Sequence, residues 1–193
     1  MHLIKAFLVG VIGLFIIITL FSLLIPSRVR VSRAVMISNT STDAVYQQVA
    51  SIKNWKNWHP IFTMDSAKIS SRPAAIAGKD SGYAFNHRGK DISITIQSAD
   101  TGSVQFLLQA EGENDVQNDI LITFLPSQNA VQVEWRAITK LHWYPWEKFY
   151  GIFIDNLTGT GYEVALNGLK DFIERNPISS ILFAIPKKEF FSN

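Results

Sequence analysis

The groups able to move a proton or hold a metal are sparse once the first 27 residues are set aside. His59, His87 and His142 stand far apart, with no H-x-x-x-H step and no paired carboxylates. Turn and surface histidines explain them more simply than a zinc site does, and no metal or other cofactor is expected. Serines and histidines occur without a G-x-S-x-G elbow, so a hydrolase of that kind is not supported. Gly159-Thr160-Gly161 is not a dinucleotide fingerprint, because no βαβ unit surrounds it. The chain has no cysteine, which excludes disulfides, thiol nucleophiles and cysteine-ligated zinc or iron–sulfur centres. Asp155 comes almost two helical turns before Tyr162, so both project to one side. Asp155 then either enters a cavity or is turned to solvent where nearby glycines make the helix irregular. Proton transfer by His87, Asp155 or Tyr162 is the chemistry these residue types permit.

The elements that must position such groups are legible in the apolar spacing. From Phe149 to Arg175, Tyr162, Ala165, Leu166, Leu169, Phe172 and Ile173 recur at steps of three and four, with Glu163, Asn167, Lys170, Asp171 and Glu174 between them. This is an amphipathic helix with one face to bury. Its upstream half carries Gly151, Thr158, Gly159 and Gly161, which weaken a helix but keep its surface low and leave room there. A first strand is expected over Arg28 to Ser38. A helix follows from about Asp43 to Ile52, capped by one of Asn39 to Thr42, and then a short helix around Trp55 and Trp58, ended by Pro60. Thr63 to Asp80 reads as a loop or short edge strand.

Runs at Ser81 to His87, Asp91 to Ala99, Val104 to Glu111, Val116 to Leu125 and Ala130 to Lys140 are separated by short gaps rich in turn residues. They should pair as an antiparallel meander, since parallel pairing needs longer crossovers. Alternation places Ile92, Ile94, Ile96, Phe106, Leu108, Ala110, Ile120, Ile122, Phe124, Val131, Val133, Trp135 and Ala137 on a dry inner face. A curved sheet of six or seven strands with one greasy side and one long amphipathic helix is the α+β arrangement in which each covers the other.

The chain is 193 residues long and 47% hydrophobic, enough for one domain with a sizeable core. Eighteen basic against sixteen acidic residues leave a net charge of +2, too balanced for a nucleic-acid surface. Ala6 to Ile25 is twenty residues without a charge, fifteen of them Phe, Leu, Ile or Val. That length matches a hydrocarbon core of about 30 Å. An uncleaved single-pass membrane anchor over residues 1–27 is favoured over a signal peptide, because the apolar run is long and Leu24-Ile25-Pro26-Ser27-Arg28 offers no small-residue cleavage site. Arg28, Arg30 and Arg33 after the span, against Lys5 before it, lean the following domain to the cytoplasmic side.

The order of strand, helix, short helix, meander and long helix carries two local signatures. These are Asn54-Trp55-Lys56-Asn57-Trp58-His59-Pro60 and the ending Leu166-Asn167-Gly168-Leu169-Lys170-Asp171-Phe172-Ile173-Glu174. Together they resemble the SRPBCC (START-like, polyketide cyclase/dehydrase) superfamily, in which W-x-x-W-x-P and L-x-x-L-K-x-x-x-E stretches recur. The resemblance covers residues 28–175 and leaves a tail at 176–193. It implies a helix-grip fold, as in the birch pollen allergen, with a cavity between the concave sheet and the C-terminal helix. Members bind lipids, sterols, polyketides and other hydrophobic molecules, a minority catalyse reactions on them, and no catalytic residue is common to all.

The function expected is a membrane-anchored binding module for a hydrophobic small molecule or lipid. Its cavity would be lined by Ile94, Phe106, Leu108, Ile122, Val133 and Trp135 and closed by Gly151, Asp155, Thr158 and Tyr162. Two alternatives stay open: a cyclase- or hydrolase-like enzyme on a hydrophobic substrate, and a non-catalytic sensing or interaction domain with a protein partner. The aromatic group Trp135, Trp143, Tyr144, Trp146, Phe149, Tyr150 and Phe153 suits a pocket mouth, an interfacial belt, or plain packing.

Overall fold

Alternating side chains and short turns produce the sheet that the sequence pattern demands. The computed structural model describes residues 2–64, 82–87 and 89–176, so most of the 63–80 stretch and the tail from 177 lie outside the described residues. The elements are α1 (His2–Ser22), β1 (Arg28–Ser38), α2 (Thr42–Val49), α3 (Ile52–Trp55), α4 (Pro60–Met64), β2 (Gly82–His87), β3 (Lys90–Asp100), β4 (Ser103–Ala110), β5 (Val116–Leu125), β6 (Ala130–Lys140) and α5 (Pro145–Arg175). Six strands form one sheet in the order β1-β6-β5-β4-β3-β2, every neighbouring pair antiparallel. The meander thus ends by pairing β6 with the first strand, Val35 facing Val133 and Arg33 facing Trp135. A register shift between Ile96 and Ser98 interrupts the β3–β4 ladder, a bulge of the kind that bends and twists a strand.

The inner face is largely as the alternation requires, with Ile94, Phe106, Ile120, Ile122, Val131, Val133, Trp135 and Ala137 buried. Phe124 is the exception at 46% exposed, because it lies near the end of β5 beside the turn that begins at Leu125. The chain leaves β1 through α2, whose N-cap is Ser41; its hydroxyl accepts from the Ala44 N–H at 3.2 Å. Helix α2 stops at Val49, earlier than its apolar spacing suggests, and a separate turn, α3, begins at Ile52. Pro60 opens α4 where an end was expected, since its fixed φ and missing N–H suit a first helical position.

Helix α5 runs without a break for 31 residues and packs chiefly along β1. Its glycines mark where it comes close. A Cβ built on Gly168 would lie 2.3 Å from the Trp58 carbonyl oxygen, and one on Gly151 would lie 2.3 Å from Leu141 Cδ1. One on Gly159 would lie 2.1 Å from the Arg33 guanidinium. The room expected at Gly151 and Gly159 is therefore taken by partners, whereas a Cβ at Gly161 meets nothing within 4 Å. Trp55 and Trp58 bury against the same core and donate their indole N–H groups to the Val49 and Gln48 carbonyls, at 2.9 and 3.2 Å.

These contacts separate two glycines of one helix. Gly168→Ala forces a methyl against backbone and should lower unfolding stability by about 1–3 kcal/mol. Gly161→Ala adds only helix propensity and should be neutral or stabilising by up to about 1 kcal/mol. Denaturant unfolding of the two variants checks this; equal effects would contradict it.

Candidate functional site

Packing α5 along β1 leaves the rest of the concave face to α3, α4 and a void. An apolar chamber of about 400 Å³ lies between Trp55, His59 and Phe62 on the helical side, Phe85, Ile92, Ile94, Phe106, Leu108 and Trp135 on the sheet, and Thr158, Gly161, Tyr162 and Val164 on α5. A second cavity of about 650 Å³ lies towards the start of α5. There Val31, Val116, Ala137 and Ile154 are joined by polar Asn114, Thr139, His142, Glu147 and Tyr150. Thr158 and Tyr162 line both spaces, so the chamber and this more polar vestibule meet at two residues of one helical turn.

Tyr162 holds its place through Trp135, ring centroids 5.1 Å apart in an edge-on pair. Trp135 is fixed in turn by its indole N–H, which donates to Asn118 Oδ1 at 3.0 Å, while the Asn118 amide donates to the Val116 carbonyl at 3.0 Å. These buried polar groups are satisfied, as a core requires. Burial pushes the Tyr162 phenol up to about 12, so it stays a neutral hydrogen-bond donor and is unsuited to act as a base near pH 7.

His59 was expected at a turn or surface and is instead only 7% exposed, because the aromatic segment that contains it folds inwards. Its ring stacks on Trp55 at 5.5 Å, and its Nδ1 accepts from the Ile61 N–H at 3.3 Å. Burial pushes its pKa down to about 4, so it lines the chamber as a neutral ring. In the vestibule, Glu147 accepts from the Asn114 amide, from the His142 backbone N–H at 3.1 Å, and lies 3.1 Å from His142 Nδ1. Burial alone would raise this carboxyl, but the hydrogen bonds from Asn114 and His142 outweigh it and hold it below the usual range.

Of the ten residues expected to surround the ligand, Ile94, Phe106, Leu108, Trp135, Thr158 and Tyr162 line the chamber. Ile122 and Val133 are buried in the core but border neither cavity, and Gly151 is packed on Leu141 and Val29. Asp155 enters no cavity either. It accepts from both terminal nitrogens of Arg33, at 2.9 and 3.1 Å, and Glu163 accepts from Arg33 Nε at 2.6 Å. The two acids stand four residues either side of Gly159, the glycine that lets the guanidinium pass beneath the helix. Arg33 falls on the inward parity of β1 with Val31 and Val35, which was the available sign that it needed partners on the covering helix. The His87 side chain lies outside the described residues. Among the described residues, no group of three or more His, Asp or Glu side chains is placed to hold a metal ion.

No family model matches the sequence, and no curated protein is similar to it by sequence. Solved structures do share its fold. A START superfamily protein from Mycobacterium smegmatis superposes with a TM-score of 0.58 at 15% identity, covering 76% of this chain and 98% of that one. A protein from Thermobifida fusca gives 0.54 at 13%, covering 75% and 93%. A Staphylococcus aureus protein of unknown function gives 0.53 at 15%, covering 78% and 98%. The chain therefore has the START-like helix-grip fold, an antiparallel sheet packed on a long C-terminal helix, with an exposed apolar helix at its N-terminus.

The buried neutral His59 makes stability depend on pH. Its folded pKa, about 4, lies below its ordinary value of 6.5, so the stabilisation is complete above 6.5 and is lost as pH falls towards 4. The loss amounts to about 3 kcal/mol. Across this window the unfolding midpoint of the wild type should fall more steeply than that of His59→Phe; parallel slopes would contradict the burial of a neutral ring.

Proposed function

We propose that α1 anchors this chain in a bilayer and that residues 28–175 bind an amphiphilic molecule, its apolar part in the chamber and its polar end in the vestibule. The observation that carries this reading is the junction of an apolar space and a more polar one at Thr158 and Tyr162. Apolar cavities tend to stay dry and to accept apolar guests, and the chamber falls within the usual range of ligand sites. Each methylene buried there contributes about 0.8 kcal/mol, whereas a polar group taken in without a partner costs roughly 2–7 kcal/mol. The same molecule is thus driven tail-first into the chamber and held by its head among Asn114, Tyr150 and His142. The START-like fold typically encloses a hydrophobic ligand, which supports the class. The anchor rests on α1, 21 residues long with its apolar side chains exposed.

Native mass spectrometry of the full chain, released from membranes in mild detergent, tests the reading. One tightly held amphiphile per wild-type chain is expected. Gly161→Trp, which adds bulk at the chamber where a Cβ meets nothing within 4 Å, should lose most of it. Equal retention by both chains, or none by the wild type, would contradict the chamber as the site.

One observation favours an enzyme as the second reading: the His142–Glu147 pair lies in the vestibule within hydrogen-bonding reach. Glu147 is also explained as the acid of the first turn of α5, where a negative charge opposes the positive end of the helix dipole. The same spectra separate the two. An enzyme would carry different molecules in the wild type and in His142→Ala, substrate accumulating in the variant, whereas a binding protein would carry one molecule in both.

A further inference from the structure

We infer that the first half of α5 lies flat in the headgroup region of the same bilayer that holds α1, so that the vestibule opens at lipid level. The inference rests on α1 being the anchor.

The start of α5 is apolar on its outer side. Trp146, Tyr150, Phe153 and Leu157 follow one another at steps of four, three and four, one stripe of a helix, and are 65%, 51%, 57% and 60% exposed. Phe149 and Ile152 widen it. Such an unbroken apolar strip on a water-facing helix marks an interaction surface. Trp and Tyr are the residues favoured at a membrane–water boundary, where an apolar ring and a polar tip are both accommodated.

The occupant is fixed by what stands beside the strip. Lys148, only 3% exposed, donates from Nζ to the Ile25 carbonyl at 3.0 Å and to the Ser27 hydroxyl at 2.5 Å. Lys148 thereby ties α5 to the short segment that follows α1, and α1 and α5 pack against each other. The beginning of α5 is tied to the point where α1 leaves the hydrocarbon. From Trp146 to Leu157 the helix advances about 16 Å, more than the depth of one interfacial layer. A helix standing upright from the surface would therefore leave Phe153 and Leu157 in water. Lying in the plane, it wets none of the strip. Tyr150 belongs both to the strip and to the lining of the vestibule, so this pose lets an amphiphile pass from the bilayer into the site without crossing water.

The chain has no cysteine, so single nitroxide labels can be placed cleanly on the full-length protein. We would label Trp146→Cys, Phe153→Cys and Leu157→Cys in phosphatidylcholine nanodiscs. Leu14→Cys reports α1, and Asn167→Cys and Gln105→Cys serve as aqueous references. All six side chains are exposed, so replacing them opens no core. Collision rates with oxygen and with a water-soluble nickel chelate give depth. The oxygen-to-nickel ratio at 146, 153 and 157 should exceed that of both references several-fold, approaching that at 14. An aqueous ratio at 153 and 157 with a lipid-like ratio at 14 overturns this inference and spares the anchor. An aqueous ratio at 14 overturns the anchor and this inference with it. Protection from both reagents at 153 and 157 would mean a protein cover, and also overturns it.

Discussion

A helix lies on a sheet only as closely as its smallest residues allow, and α5 comes down on the domain at three glycines. Gly151 settles over Leu141 and Val29, Gly159 over the Arg33 guanidinium, and Gly168 over the Trp58 carbonyl. These near-contacts pin α5 along β1 and across the helical segment that follows α2. Close packing of that kind forbids a second close seam over the strands of the same face that lie far from β1, because a straight rod cannot follow a curved surface everywhere. The inner sides of β3 and β4 are therefore faced across a gap, and the gap is the chamber.

Polar chemistry beneath α5 follows from the same placement. The passage left by Gly159 admits an arginine from the inner face of β1, and the helix answers with Asp155 and Glu163, one turn to either side. Between Gly159 and Gly168, Tyr162 stands on Trp135 as a spacer and keeps the chamber open where the glycines would otherwise draw the layers together. Asn118 holds the indole of Trp135, so the spacer is supported from the sheet. The buried His59 contributes a flat, uncharged wall and no proton near neutral pH.

The fold was legible in the sequence because period two and period 3.6 are local signals. The strand limits of β1, β5 and β6 follow directly from where alternation starts and turn residues begin. Site residues on strands were legible for the same reason: Ile94, Phe106, Leu108 and Trp135 had to face inwards. What was hidden depends on depth and tertiary distance. Nothing local distinguishes Ile122, which is packed solid, from Ile94 two strands away, which borders space. Gly151 and Gly161 look alike until the partner surface is known. Pro60 can end a helix or begin one, and Asp155 could not reveal an arginine more than a hundred residues earlier in the chain. The vestibule was missed because Asn114, His142 and Tyr150 come from three separate segments joined only by folding.

The central claim is that the gap beneath α5 is a binding space. Methyl NMR of the isoleucine-labelled full chain in nanodiscs, titrated with decanoic acid, tests it most directly. Ile92 and Ile94 line the chamber, while Ile12 and Ile16 belong to the exposed apolar helix. The account predicts that the Ile92 and Ile94 methyls move to a saturating end point while Ile12 and Ile16 drift only in proportion to added acid. Uniform, unsaturating drift at all four would mean that the acid merely partitions into lipid, and would contradict it.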